Sequence, residues 1–127
     1  MSWEACTRRD YTPEIERSRR ILERIVHENP SGGHLRYIEL LRQMPTLPQE
    51  IQGQQILWRI LGCVSIDTHR ERLGMLSVIV WNEENEPGPG FFEVAKDECG
   101  WPRSASNEEI FSGELRRVYE AFGAGSP

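Results

Sequence analysis

Lysine is nearly absent: fourteen of the fifteen basic residues are Arg, and Lys96 stands alone. Nuclease motifs that set an acid two residues before a catalytic lysine are thereby excluded, because Val94 holds that position. Cysteine is scarce as well. Cys6, Cys63 and Cys99 are odd in number and far apart, which argues against a disulfide framework and leaves no C-x-x-C zinc or redox motif. His27, His34 and His69 share no close metal-ligand spacing. No apolar run exceeds a handful of residues, so no segment is built to span a bilayer. Residues 1–12 also lack the apolar stretch of a secretory signal. The expectation is a cytoplasmic protein with reduced thiols, no membrane contact, no metal and no cofactor.

What is present is the composition of one soluble domain. The 127 residues are 38% hydrophobic and 28% charged, with 8 Pro and 11 Gly, enough to bury a single core over 1–127. The net charge of −5 is unevenly spread. Residues 1–64 hold nine Arg against eight acids, and residues 65–127 hold six bases against twelve acids. An acidic surface repels polyanions, so any contact with nucleic acid falls to the first half.

Thr12-Pro13 reads as the N-cap and first residue of a helix carrying Ile15, Leu22, Ile25 and Val26 to about His27. Glu16 to Arg20, Arg19 to Glu23 and Arg24 to Glu28 are spaced for surface pairs along it, and Arg17, Arg20 and Arg24 share one side. Asn29-Pro30-Ser31-Gly32-Gly33 is a turn. A second helix then carries Tyr37, Ile38, Leu41 and Met44, and Pro45 ends it. The third, most buried helix carries Ile51, Ile56, Leu57, Ile60, Leu61 and Val64. Gly53 and Gly62 interrupt it, each at about 1 kcal/mol relative to Ala, which predicts close approach of another element or a shorter helix. Past Gly74 the pattern changes, and Met75 to Trp81 reads as a buried strand. Asn82 to Gly90 is an acidic Pro/Gly-rich loop. Phe91 to Cys99 forms a short helix, and Asn107 caps a last helix running to Phe122. The ordered core is expected over about 12–122, with the N-terminal residues and 123–127 flexible.

A lone strand leaves its backbone groups unpaired. Its partner is sought near Gly32–Leu35, near Phe91, or in another molecule, which would make a homodimer. The expected fold class is therefore α+β, a mostly helical single domain of four to five helices with a short two- or three-stranded β wing.

Three segments together carry a resemblance. Tyr37-Ile38-Glu39-Leu40, Met75-Leu76-Ser77-Val78-Ile79-Val80 and Pro87-Gly88-Pro89-Gly90-Phe91-Phe92 resemble, across roughly residues 34–98, small bacterial domains of which some are fused to restriction-type or HNH nucleases. The Pro-Gly-x-Gly-Phe-Phe element is the most specific part. The resemblance implies a winged-helix-like arrangement and a bacterial or phage defence setting. This chain departs from the pattern in carrying no nuclease region and in its long acidic loop.

The chemistry of the remaining motifs is sparse. No G-x-x-x-x-G-K-[ST] or G-x-G-x-x-G occurs, and the prolines around Gly88 remove amide donors that a phosphate would need. No His follows His69, so HNH chemistry has no ligands beyond the strand. Cys99 beside Asp97 and Glu98 is placed for a raised pKa rather than an activated thiolate. Asp67 and His69 read as exposed polar residues, and Ser77 lies in a strand rather than on a nucleophile elbow. With no assembled nucleophile, base and orienting group, the chain is expected not to be an enzyme. The leading expectation is a noncatalytic protein-interaction module, an accessory or regulatory protein, whose contact surface is Trp81, Glu83, Glu84, Glu86 and Trp101 on the acidic half. The alternative is DNA binding through Arg17, Arg20, Arg24, Arg36 and Arg42.

Overall fold

A computed structural model describes residues 2–123. Five α-helices follow one another as α1 (Trp3–Glu28), α2 (Tyr37–Arg42), α3 (Ile51–Arg70), α4 (Pro89–Glu98) and α5 (Asn107–Val118). Two short strands, β1 (Leu35–Arg36) and β2 (Val80–Trp81), pair in parallel, Leu35 opposite Val80 and Arg36 opposite Trp81. The strand's partner thus comes from this chain, next to the Gly32–Leu35 segment that the sequence nominated. Among the described residues no helix is long and apolar enough to cross a membrane.

α3 is the central helix, buried continuously from Ile60 to Ile66. Its broad apolar surface receives α1, which buries Ile15, Ser18, Leu22 and Val26 at three- and four-residue spacing along one stripe. Two Arg clamps tie these helices together at their edges. Arg8 donates to both carboxylate oxygens of Asp67 at 2.9 and 3.0 Å and to Glu4 at 2.8 Å. Arg19 reaches Glu71 at 2.6 and 2.9 Å and Glu23 at 2.6 Å. Of the three pairs anticipated along α1, Arg19–Glu23 forms and the other two do not. Asp67, expected to be a free exposed residue, is half-buried and spoken for by Arg8.

The first helix begins at Trp3, not Thr12. The cap-like signal at Thr12-Pro13 marks a kink: Tyr11 leaves helical geometry at φ −132°, ψ 30°, and Pro13 has no N–H for the carbonyl four residues back. The turns before it are helical because Ser2 caps them by accepting from Ala5 N–H at 3.2 Å and because Arg8 fastens them to α3. The residues before 12, expected to be flexible, are helical from Trp3. Of the tail expected to fray, Gly123 ends a π-helical turn over Tyr119–Gly123, and 124–127 lie outside the described residues. The cap of α5 is Ser106 rather than Asn107. Its hydroxyl accepts from Glu109 N–H, and the Glu109 carboxylate accepts from Ser106 N–H.

The largest departure is Met75–Trp81. Only Val80 and Trp81 are strand, and Leu76–Ile79 form a buried 3-10 turn. The reason lies in where the amides go. Met75 N–H donates to Glu114 at 2.9 Å, Leu76 N–H to the Thr68 hydroxyl at 3.0 Å and Ser77 N–H to the Ser65 hydroxyl at 3.0 Å. Val78 N–H closes the turn on the Met75 carbonyl at 3.0 Å. Side chains of α3 and α5 supply the acceptors that a neighbouring strand would have supplied.

Glu114 is fully buried and also accepts from the Trp101 indole N–H at 2.7 Å and from Arg117 at 3.2 Å. Replacing it by Ala strips the acceptor from two amide-type donors, each costing roughly 1–3 kcal/mol when left unpaired. Urea unfolding of Glu114→Ala is expected to show a loss of about 3 kcal/mol or more, with Glu114→Gln losing less because its amide oxygen still accepts. Equal stability of Glu114→Ala and wild type would remove this carboxylate from its central place.

Candidate functional site

The face that the sequence nominated starts at β2. Trp81 is half-buried, stacked on His34 with ring centroids 3.9 Å apart and planes at 15°, and meets Phe111 edge-on at 5.8 Å. Its indole N–H donates to the Val78 carbonyl at 2.9 Å. The loop after it is folded upon itself. Asn82 N–H donates to the Glu86 carbonyl at 2.9 Å, and the Asn82 side chain accepts from Glu84 N–H at 2.8 Å. Arg36 braces the loop by donating to the Asn82 carbonyl and, at 2.8 Å, to the Asn85 side-chain oxygen.

The Pro87–Gly90 segment ends this loop against Trp58 of α3. A Cβ on Gly88 would sit 2.0 Å from the Trp58 ring, so the backbone can approach the indole only where no side chain intervenes. Pro89 then opens α4, where its fixed φ suits the first helical turn. Tyr37 packs on the other side of Trp58 with centroids 4.9 Å apart, its hydroxyl donating to the Gln54 carbonyl.

Trp58 is consequently a wall shared by two clefts. One, of about 360 Å³, is lined by Arg36, Tyr37, Ile38, Gln54, Trp81, Asn82 and Glu83. The other, of about 210 Å³, lies between α3 and α4, with Trp3, Leu61, Phe91 and Val94 among its apolar walls. Trp3 reaches it because α3 carries glycine at 62, where a Cβ would stand 2.8 Å from the indole. Ser65 and Ser77 lie at its base with their hydroxyls 2.6 Å apart. Glu93, Asp97 and Glu98 line it from α4, and Arg59 lines it from α3. Asp97 is engaged by Arg103, which leaves Glu93 and Glu98 without an ion pair.

The nominated contact residues separate. Trp81 and Glu83 come together on the larger cleft, whereas Glu84 and Glu86 lie on the braced loop and line neither. Trp101 also lines neither cleft. It docks on α5, its N–H on Glu114, its ring edge against Gly113 and the Arg117 guanidinium 5.7 Å from its centroid. Truncating this packed indole, as in Trp101→Ala, removes the contact with α5 and typically costs several kcal/mol. Trp3, Trp58, Glu93 and Glu98 were not singled out by sequence for this face. The signals for the two tryptophans were Gly62 and the glycines of the Pro-Gly-x-Gly element, which announced close approaches without naming what approaches, and nothing signalled Glu93 or Glu98.

The Arg set is also divided. Arg36 is committed to the loop, and Arg17 donates through Nε to the Gln43 carbonyl at 2.8 Å, which sets it beside Arg42 at the end of α2. Arg20, Arg24 and Arg42 are exposed and make no ion pair. Burial pushes the Cys63 thiol up to about 11 and the Cys99 thiol up to about 12, away from thiolate character. Among the described residues no three His, Cys, Asp or Glu side chains are grouped so as to hold a metal ion.

Glycine at 88 and glycine at 90 make a paired test of the Trp58 seat. Gly88→Ala is expected to cost roughly 1–3 kcal/mol by overpacking and to shift tryptophan emission. Gly90→Ala, whose Cβ would rest 3.4 Å from the ring, is expected to be neutral or slightly stabilising. The same urea titration reads both. Comparison of the chain with known protein families, curated proteins and solved structures finds no match.

Proposed function

We propose that this chain is a noncatalytic protein-interaction module that receives its partner on the face centred on Trp58. The observation that carries this reading is the pair of clefts sharing one tryptophan wall, on a surface rimmed by acids of the second half. Such a ridge between two recesses offers the apolar anchoring points around which interfaces concentrate their energy. The hydroxyls of Ser65 and Ser77 are occupied by each other and by the Ser77 amide, and neither cleft is lined by histidine. That supports binding over catalysis. The resemblance noted above adds a setting, an accessory or regulatory protein of a prokaryotic or phage defence system in the cytoplasm.

Affinity capture with charge-reversed variants tests the reading. Glu83→Lys/Glu84→Lys on the loop and Glu93→Lys/Glu98→Lys on α4 alter only exposed side chains. At least one pair is expected to reduce recovery of the captured partner roughly tenfold, while Arg20→Glu/Arg24→Glu leaves it unchanged. Capture indifferent to both acidic pairs would sink this placement of the interface.

A second reading, winged-helix-like DNA binding, draws support from one observation: Arg20, Arg24 and Arg42 are exposed without acidic partners, and Arg17 adjoins Arg42. It requires anisotropy of a labelled duplex to show saturable binding that weakens as salt rises and is weakened in Arg20→Glu/Arg24→Glu. Absence of binding at low salt removes it.

A further inference from the structure

We infer that the cleft between Trp3 and Trp58 is a socket for one apolar side chain, aromatic or branched aliphatic, presented by a Lys- or Arg-flanked segment of a protein partner. This rests on the interaction reading above and specifies the chemistry of the partner. Size comes first. About 210 Å³ is below the usual 300–1,000 Å³ of drug-sized ligand sites but above the ~150 Å³ that suffices for benzene. That matches the tip of one large side chain better than a free metabolite.

The lining agrees with that guest. Trp3, Trp58, Leu61, Phe91 and Val94 give it apolar walls, and Trp3 stays 38% exposed at its end, a large hydrophobic surface left facing water. The hydroxyls at the base are turned to each other, Ser65 and Ser77 at 2.6 Å, and Ser65 also accepts from the Ser77 N–H, so both oxygens are engaged within the protein.

Charge selects what surrounds the guest. Of the three carboxylates in the lining Asp97 is taken by Arg103, while Glu93 and Glu98, with Arg59 the one guanidinium of the lining, have no ion-pair partner among the described residues. The two glutamates stand five residues apart on exposed positions of α4, free to meet cations flanking the inserted side chain. Acidic segments are repelled by the same groups. A second copy of this chain docked by two-fold symmetry would bring the acidic rims together, which disfavours that occupant.

The test uses the full chain, labelled with nitrogen-15, and three blocked pentapeptides: Lys-Lys-Phe-Lys-Lys, Lys-Lys-Ala-Lys-Lys and Glu-Glu-Phe-Glu-Glu. The first is expected to shift the indole N–H signals of Trp3 and Trp58 saturably, and the other two to bind at least roughly tenfold more weakly. Val94→Phe, which fills the cleft, is expected to abolish the shifts, and Glu93→Gln/Glu98→Gln to weaken binding several-fold and flatten its salt dependence. Folding of each variant is read from the same spectra. Equal binding by the alanine peptide, equal binding by the glutamate peptide, or no shift at millimolar peptide would each overturn the socket. If capture stays sensitive to Glu93→Lys/Glu98→Lys while the peptides fail, the face remains an interface and only the socket falls. If both fail, the interaction reading falls with it.

Discussion

Four consecutive backbone N–H groups, from Met75 to Val78, lie in the interior, and the molecule is arranged around finding acceptors for them. Glu114 from α5 takes the first, Thr68 and Ser65 from α3 take the next two, and the turn takes the last. A buried amide without a partner costs free energy comparable to a lost hydrogen bond or more, so these acceptors fix how α3, α5 and the turn sit relative to one another. Glu114 does most. Fully buried, it also holds the Trp101 indole, so one carboxylate couples the connection between α4 and α5 to the start of the central turn. The Arg clamps on α1, only partly shielded, add less, because water and salt weaken them.

The candidate face inherits its shape from that arrangement. The turn delivers Val80 and Trp81 into register with Leu35 and Arg36. Arg36, held in that pairing, then reaches across to brace the loop, and the loop ends by laying Gly88 on Trp58. The two clefts that Trp58 borders are therefore shaped by elements tied to one another through these contacts.

Much of the helical framework was legible in the sequence. The apolar spacing of α1 from Ile15 onward, of α3 from Leu57 onward and of α5 corresponds to their buried faces, and the prediction that α3 is the most buried helix matches its continuous burial from Ile60 to Ile66. Ile51 and Ile38, read as parts of the α3 and α2 stripes, are instead exposed. The flagged Gly53 and Gly62 do sit at close approaches, to Pro48 and Trp3. Met75–Trp81 misled because β-branched composition reports burial as well as strand. Nothing local announces that Ser65, Thr68 and Glu114, up to 39 residues away, will serve as its hydrogen-bond acceptors. Pro13 misled differently: the same residue that starts helices also kinks them, and the anchors that order the preceding turns, Asp67 and Gly62, are more than 50 positions downstream. For the face, the Pro-Gly-x-Gly signal located one edge, but the Trp58 wall belonged to a stripe that reads as ordinary core.

The position of Glu114 near the end of α5 also has a bearing on biosynthesis. A ribosome releases α1 and α3 first, with Leu22, Val26, Leu57 and Ile60 already in need of cover, while the acceptor for Met75 is still untranslated. The nascent chain can collapse around α3, but it cannot close its central turn until residue 114 has emerged. Closure of the central turn is thereby deferred until α5 has been made, and any fragment cut before α5 retains the apolar stripes without the carboxylate that accepts from Met75.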